Sequence, residues 1–340
     1  MGCKESFEKF FGWRFFPASR SVESMKLSAL FAILALNLSA AEIRIGLIGC
    51  DTSHATAFTQ ILNDPTAKNY IPGARVVAAI GSSSPDIESS FSRVDGYIKE
   101  LREKWGVKIY TSIEAMCADV DAVLIESVDG RPHLAQAKPV IAAKKPLFID
   151  KPLAGSLADA REIARLAKEA GVPVWTGSAY RWYASMKELM ATDVGEIRGA
   201  ISYGPAHLEK SHPDFYWYGI HPTEALYTAL GKGCESVTRT KTEDTDVVVG
   251  QWSGGRTGTL IGLRTKSLPH KVTLFGSKTF AEQKSGGDDY APLVGEIIKF
   301  LQTGKPPVDM DETLEMHAFM SAADESARRG GAPVKLSEVK

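Results

Sequence analysis

From Ile43 the chain alternates short apolar runs with helical stretches, six times over, and each run ends at a glycine or a polar residue. The runs are Ile43–Ile48, Arg75–Ile80, Val107–Tyr110, Asp121–Ile125, Pro146–Ile149 and Val172–Thr176. Runs this short, bounded by turn residues, read as buried strands. Between them lie helical patterns. One starts near Ser53 with Phe58, Ile61 and Leu62 on one face, and stops near Asn63-Asp64-Pro65. A second starts near Glu88, carries Phe91, Val94, Ile98 and Leu101, and ends near Gly106. A short third follows Ser112, a fourth spans Pro132–Ala143, and a fifth opens on the capping pattern Ser156–Asp159 and ends at Gly171. Strand–helix alternation at this spacing predicts a parallel sheet with right-handed crossovers. Ligands of such sheets sit beyond the carboxyl ends of the strands. The residues that follow each run are therefore the candidates for chemistry.

After about Gly177 the pattern changes. Ile197–Tyr203, Glu235–Thr240, Asp246–Gln251, Thr257–Arg264 and Lys271–Phe275 are strand-like, with turn signals at Ser253-Gly254-Gly255 and Gly276-Ser277. Few helical patterns separate them, which predicts a mostly antiparallel sheet. Two helices are expected at the end, one over about Ala291–Gln302 and one after Asp309-Met310-Asp311. The chain thus divides into an extension over 1–41, an α/β domain with a parallel, doubly wound sheet over 42–176, and a second α+β domain on a mostly antiparallel sheet over 177–340.

The extension carries its own signal. Met25-Lys26, the apolar run Leu27–Leu38 and Ser39-Ala40-Ala41 resemble a secretory signal peptide cut before Glu42. Used, it would export the protein to the periplasm; unused, the protein is cytoplasmic. The run is too short for a comfortable membrane span. A competing pattern, Met1-Gly2-Cys3-Lys4-Glu5-Ser6, matches an acylation site. A net charge of −1 offers no basic surface for nucleic acid. The four cysteines, Cys3, Cys50, Cys117 and Cys234, stand singly, so neither a disulfide framework nor a cysteine metal knuckle is indicated.

The first turn reads Gly49-Cys50-Asp51-Thr52-Ser53-His54. A dinucleotide fingerprint is G-x-G-x-x-G, whose glycines admit a pyrophosphate. Here Asp51 and His54 take the second and third glycine positions. An aspartate there repels phosphate unless it turns away, while the helix N-terminus with Thr52 and Ser53 still suits an anion; alternatively, Asp51 merely caps the helix. The second strand ends in Gly81-Ser82-Ser83-Ser84, without the acid that holds ribose hydroxyls. The fourth ends in Glu126-Ser127-Val128-Asp129-Gly130-Arg131-Pro132-His133, and the fifth in Asp150-Lys151-Pro152. A lysine at that place projects into the cleft, where its ammonium would polarise a hydroxyl or carbonyl.

Gly46–Gly49, Asp121–Ile125 with His133, and Lys145–Leu153 together resemble the glucose–fructose oxidoreductase and inositol dehydrogenase family, Gfo/Idh/MocA. That family has Glu-Lys-Pro where this chain has Asp150-Lys151-Pro152. Its Gly-x-His-x-x-Asp segment is similar to Gly219–Glu224, and Arg181 resembles an arginine beyond the sixth strand. The resemblance covers nearly everything after Glu42. It implies Lys151 and His221 as catalytic residues, the histidine accepting a proton. It also implies NAD or NADP, undecided because the fingerprint is degraded, near Gly49, Asp51, Thr52, Ser53, His54, Ser82, Ser127, Asp129, His133, Asp150, Lys151 and Arg181. Many members carry an acid four residues before the histidine; here Trp217 stands there, with Asp214 and Glu224 as the substitutes at hand.

The stretch from His207 through Asp214, Tyr216 and Trp217 to His221 and Glu224 sets aromatics beside acids and imidazoles, as a sugar or polyol requires. A domain interface is the plainer alternative. The histidine spacing matches no metal pattern, so no resident metal is expected. The leading expectation is a nucleotide-dependent oxidoreductase on a carbohydrate-like small molecule, with no nucleic-acid partner and a homo-oligomeric state. Two alternatives are a redox-neutral carbohydrate enzyme with tightly held NAD, which suits an exported protein, and a non-catalytic carbohydrate-binding protein.

Overall fold

The computed structural model describes residues 42–265, 268–285 and 289–340. The signal-type segment Met25–Ala41 and the acylation pattern Met1–Ser6 lie outside the described residues. Among the described residues no helix is long and apolar enough to cross a membrane.

Strands β1 (Ile43–Gly49), β2 (Ala74–Gly81), β3 (Lys108–Ile109), β4 (Ala122–Ile125), β5 (Leu147–Asp150) and β6 (Val174–Gly177) form one sheet in the order β3-β2-β1-β4-β5-β6. Every pair in it is parallel, as the alternation predicts. The order reverses between β1 and β4, and this switch point is where such sheets open a crevice. Helix α1 (Ser53–Asn63) begins at the crevice; α2 (Glu88–Phe91), α3 (Val94–Trp105), α4 (Ile113–Asp119), α5 (His133–Ala142) and α6 (Leu157–Ala170) complete the layers. The helix expected from Glu88 to Gly106 is broken. Ser92 Oγ donates back to Glu88 O at 2.6 Å, and a serine that competes for helix carbonyls ends the first turn.

Helix α7 (Ala184–Met190) leads into the second sheet, made of β7 (Ile197–Pro205), β8 (Cys234–Lys241), β9 (Thr245–Trp252), β10 (Thr257–Leu263), β11 (Lys271–Gly276), β12 (Phe280–Glu282) and β13 (Val334–Lys335). Their order is β12-β11-β7-β10-β9-β8-β13. β7 and β10 run parallel, so the sheet is mixed, while the other pairs are antiparallel. Alternation is regular along β9 and β10 and in the middle of β7: Val248, Gly250, Leu260 and Ser202 face the core, and Val247, Val249, Ile261 and Tyr203 face outward.

Helix α8 (Ile220–Leu230), absent from the sequence reading, packs on the inner face with α9 (Ala291–Thr303) and α10 (Met310–Arg328). Ten of its residues are buried, so it has no polar stripe to reveal a period. Pro222 reads as a breaker, but within the first turn it leaves no intrahelical donor unmade. One core, through Phe58, Trp175, Phe300, Tyr227 and Phe319, joins a face of the parallel sheet to the second sheet. The carboxyl ends of β1, β4, β5 and β6 therefore open against the N-terminus of α8.

Candidate functional site

A cleft of about 730 Å³ lies at that junction, within the range usual for ligand sites. Its floor and one end are Thr52, Ser53, His54, Ser89, Arg93 and Val128; its other end is Lys151, Ser178, Tyr180, His207, Trp217, Tyr218, His221 and His270.

The first turn is shaped by Gly49. Its φ is +106°, and a Cβ there would meet Ser127 N at 2.4 Å, so β1 and the loop after β4 touch backbone to backbone. Asp51 turns away from the cleft. It is 1% exposed, and its carboxylate accepts from Val128 N at 2.9 Å and Ser90 Oγ at 2.5 Å. Burial raises its pKa against those bonds. The cap of α1 is Thr52, whose Oγ1 accepts from His54 N, not Asp51. Thr52 and exposed Ser53 keep the helix N-terminus open to the cleft. His54 lines it too, with Nδ1 at 2.8 Å from Asp150 Oδ2.

Several sequence candidates do not line the cleft and are held by hydrogen bonds within the protein. Ser127 and Ser82 are tied by Gln136, which reaches their hydroxyls at 2.8 and 3.2 Å. His133 is fully buried, with its ring nitrogens 3.0 Å from the carbonyls of Pro152 and Ser127, so it clamps the loop after β4 to the segment after Lys151. Asp129 faces His212 Nε2 at 2.9 Å, Ser84 Oγ and Arg131. Burial alone would raise its pKa; those donors hold it far below the carboxylate range. Arg181 points away from the cleft, to Glu224 at 3.1 Å and Glu312 at 2.7 Å. Two carboxylates thus claim the charge that sequence reasoning gave to a cofactor.

The aromatic stretch divides in two. Phe215–Gly219 coils as a π-turn ahead of α8. Trp217 and Tyr218 face the cleft, with His207 5.2 Å from the Tyr218 ring centroid. Asp214 and Tyr216 face the other way. Asp214 pairs with Arg239 and Lys241, and the buried Tyr216 hydroxyl bonds Ser321 Oγ at 2.7 Å. Both line a separate surface cavity of about 810 Å³ with Asp324 and Arg328, remote from the strand ends.

Lys151 and His221 meet in the cleft. Lys151 Nζ stands 5.9 Å from the Tyr218 ring centroid. His221 is 8% exposed; burial, then the charge of Lys151, lowers its pKa well below 6.5, so it stands neutral and proton-accepting at neutral pH. Its Nδ1 is 3.0 Å from Ser178 Oγ, a contact that orients the ring by its Nδ1 side. Glu224 does not touch the ring. Its carboxylate accepts from Ser178 N at 2.8 Å and so fixes the residue that orients the histidine. Tyr180 and His270 complete the wall, 4.2 Å apart by ring centroids. Burial drops the His270 pKa to about 3.

Ser178, Tyr180, Arg93 and His270 were not among the sequence candidates, and Glu126 entered only as the first residue of the polar stretch after β4. Ser178, Tyr180 and Glu126 follow strand ends and were open to the same positional rule that found Lys151. Arg93 and His270 come from a helix break and a loop, where no pattern marks them.

Residues 43–178 match the oxidoreductase family with an NAD-binding Rossmann fold, Gfo/Idh/MocA. A myo-inositol 2-dehydrogenase from Thermotoga maritima is 26% identical over 296 residues, spanning 71% of this chain and 88% of that protein. An inositol 2-dehydrogenase from Cereibacter sphaeroides is 31% identical over 181 residues, 51% of this chain and 48% of that protein. The crystal structure of a probable dehydrogenase from Thermotoga maritima superposes with a TM-score of 0.72 at 24% identity, covering 88% of this chain and 100% of the other. Over residues 43–178 the chain thus matches the NAD-binding Rossmann region of the Gfo/Idh/MocA oxidoreductases, and along most of its length it shares the fold of the solved dehydrogenase.

Proposed function

We propose that the protein oxidises a secondary hydroxyl of a cyclic polyol or sugar derivative, with NAD or NADP as hydride acceptor. One observation carries this reading: a neutral, Ser178-oriented His221 and Lys151 face one cleft walled by Tyr180, Trp217 and Tyr218. The residues present fit the cofactor. Arg93 Nε is buried without a hydrogen-bond partner among the described residues, and Arg93 lines the same cleft as the N-terminus of α1. A cation and a helix N-terminus together suit a pyrophosphate. When bound, the nicotinamide supplies the hydride acceptor. This chain's own part is proton and charge control. His221 takes the hydroxyl proton, and the Lys151 ammonium donates to the same oxygen as negative charge develops on it. The aromatic wall stacks on the apolar face of the ring and excludes water. The inositol dehydrogenases among the relatives support a polyol. The test is a panel of inositols, sugars and their acids with NAD and NADP, read by absorbance of the reduced cofactor. Formation of reduced cofactor with a polyol is expected; none with any member of the panel would overturn the reading.

We further propose a homo-oligomer on the open face of the second sheet, where Val249, Phe275 and Phe280 are 38%, 41% and 61% exposed. Light scattering that returns a monomer mass would overturn this.

A further inference from the structure

Behind Lys151 three side chains converge that the proton chemistry leaves unused. Glu126 follows β4 directly, Asp150 ends β5, and His54 is the second residue of α1. One ligand atom from each lies within 4.8 Å of the others. Glu126 is 0% exposed, and neither of its oxygens has a hydrogen-bond partner among the described residues. Asp150 Oδ1 is buried and unpartnered as well. Buried polar atoms are satisfied in about nine cases in ten. The Lys151 charge acts on both carboxylates, but Lys151 donates to none of these three oxygens, so oxygens from two buried carboxylates converge beside one imidazole with no donor bound to them.

We propose that His54, Glu126 and Asp150 bind one divalent transition-metal ion of the zinc class. Imidazole with carboxylates is a donor set for zinc, iron or manganese; magnesium and calcium take oxygen alone. The 2.8 Å between His54 Nδ1 and Asp150 Oδ2 suits two neighbouring ligands of one ion as well as it suits a hydrogen bond. With metal–ligand bonds of about 2.1 Å, two ligands lie at most about 4.2 Å apart. Loading therefore needs only a small inward movement of the side chains. The imidazole is held for the purpose: its ring stacks on Phe58 at 5.3 Å and meets the edge of Tyr290 at 4.7 Å. Entry is from the cleft that His54 lines. The competing state is a proton on Glu126, favoured by burial and then by the charge of Asp150. That proton, shared with Asp150, still leaves the second Glu126 oxygen without a partner, whereas an ion engages both carboxylates and joins the ends of β4 and β5 to α1. The three ligands come from separate elements, so no local spacing in the sequence reveals them.

The experiment strips the full chain with a chelator and adds Zn²⁺ or Co²⁺ alone. One ion per chain by calorimetry, visible Co²⁺ ligand-field bands and a raised Tm with Zn²⁺ are expected. Glu126→Gln keeps the shape and removes the charge; His54→Ala alters a side chain only partly buried, so at least one variant remains folded. Each is expected to weaken binding by about 100-fold or more. A native chain that binds no ion stoichiometrically overturns the proposal, as do variants that bind as well as the native chain. The readout is metal binding rather than turnover, so its outcome is separate from that of the polyol assay.

Discussion

Replacing Ser178 by alanine removes one oxygen and tests how His221 is poised. The Ser178 hydroxyl is 3.0 Å from His221 Nδ1, and both residues are buried. Proton acceptance at Nε2 requires the tautomer in which Nδ1–H donates to that oxygen and Nε2 carries the lone pair. Without the acceptor, a buried N–H is left unmade, at a cost of about 1–3 kcal/mol. The ring relieves this by moving its proton to Nε2, the nitrogen that must be bare to accept the substrate proton. If the whole cost falls on the active tautomer, kcat falls about 5- to 150-fold. KM changes little, because Lys151 and the aromatic wall are untouched. The assay is initial-rate formation of reduced cofactor across pH, with Tm recorded for the same protein. A variant of native Tm with undiminished kcat would refute the reasoning. Equal losses in kcat and Tm would mean Ser178 is merely structural.

The pH profile follows from His221. Its pKa is depressed by burial and by nearby cationic groups, and the neutral ring is the active form. The acid limb of kcat/KM should therefore lie below 6.5, with activity lost as pH falls through it; a limb above that value would contradict the assignment. Arg93→Ala should weaken NAD(P) binding by about 10- to 100-fold, the worth of one charge-assisted hydrogen bond, with unchanged Tm; calorimetry checks this, and unchanged affinity would remove Arg93 from the site. Gly49→Ala places a Cβ 2.4 Å from Ser127 N at a φ of +106°. Urea unfolding should show a loss of about 1–3 kcal/mol or more, and full stability would mean that the turn relaxes without strain.

Much of this arrangement is legible in the sequence, and the reasons differ by element. The six parallel strands announce themselves because a strand buried on both faces is a short continuous apolar run between turn residues. Lys151 follows from position alone, as the residue beyond one such run. Helix α8 stays hidden because a helix buried all round has no amphipathic period. Asp214 and Tyr216 fall outside the cleft because the π-turn Phe215–Gly219 sends neighbouring side chains to opposite sides, which residue type cannot forecast. Arg181 is captured by Glu224 and Glu312, 43 and 131 residues away in sequence. Asp51 is a departure whose meaning only packing resolves: its carboxylate is consumed by Val128 N and Ser90. The glycine fingerprint is lost, yet the helix N-terminus it served stays accessible through Thr52 and Ser53.

The central claim is that Lys151 acts on substrate oxygen in a cleft that also holds a nicotinamide cofactor. The direct measurement pairs two readings on native protein and Lys151→Ala: cofactor affinity by calorimetry, and turnover of a polyol substrate. The account predicts binding of NAD or NADP by both proteins within a few-fold, and a fall in kcat of about 10²- to 10⁴-fold in the variant, the usual worth of a positioned proton donor and charge stabiliser. Undiminished turnover by Lys151→Ala, or a native protein that binds neither cofactor, would contradict it.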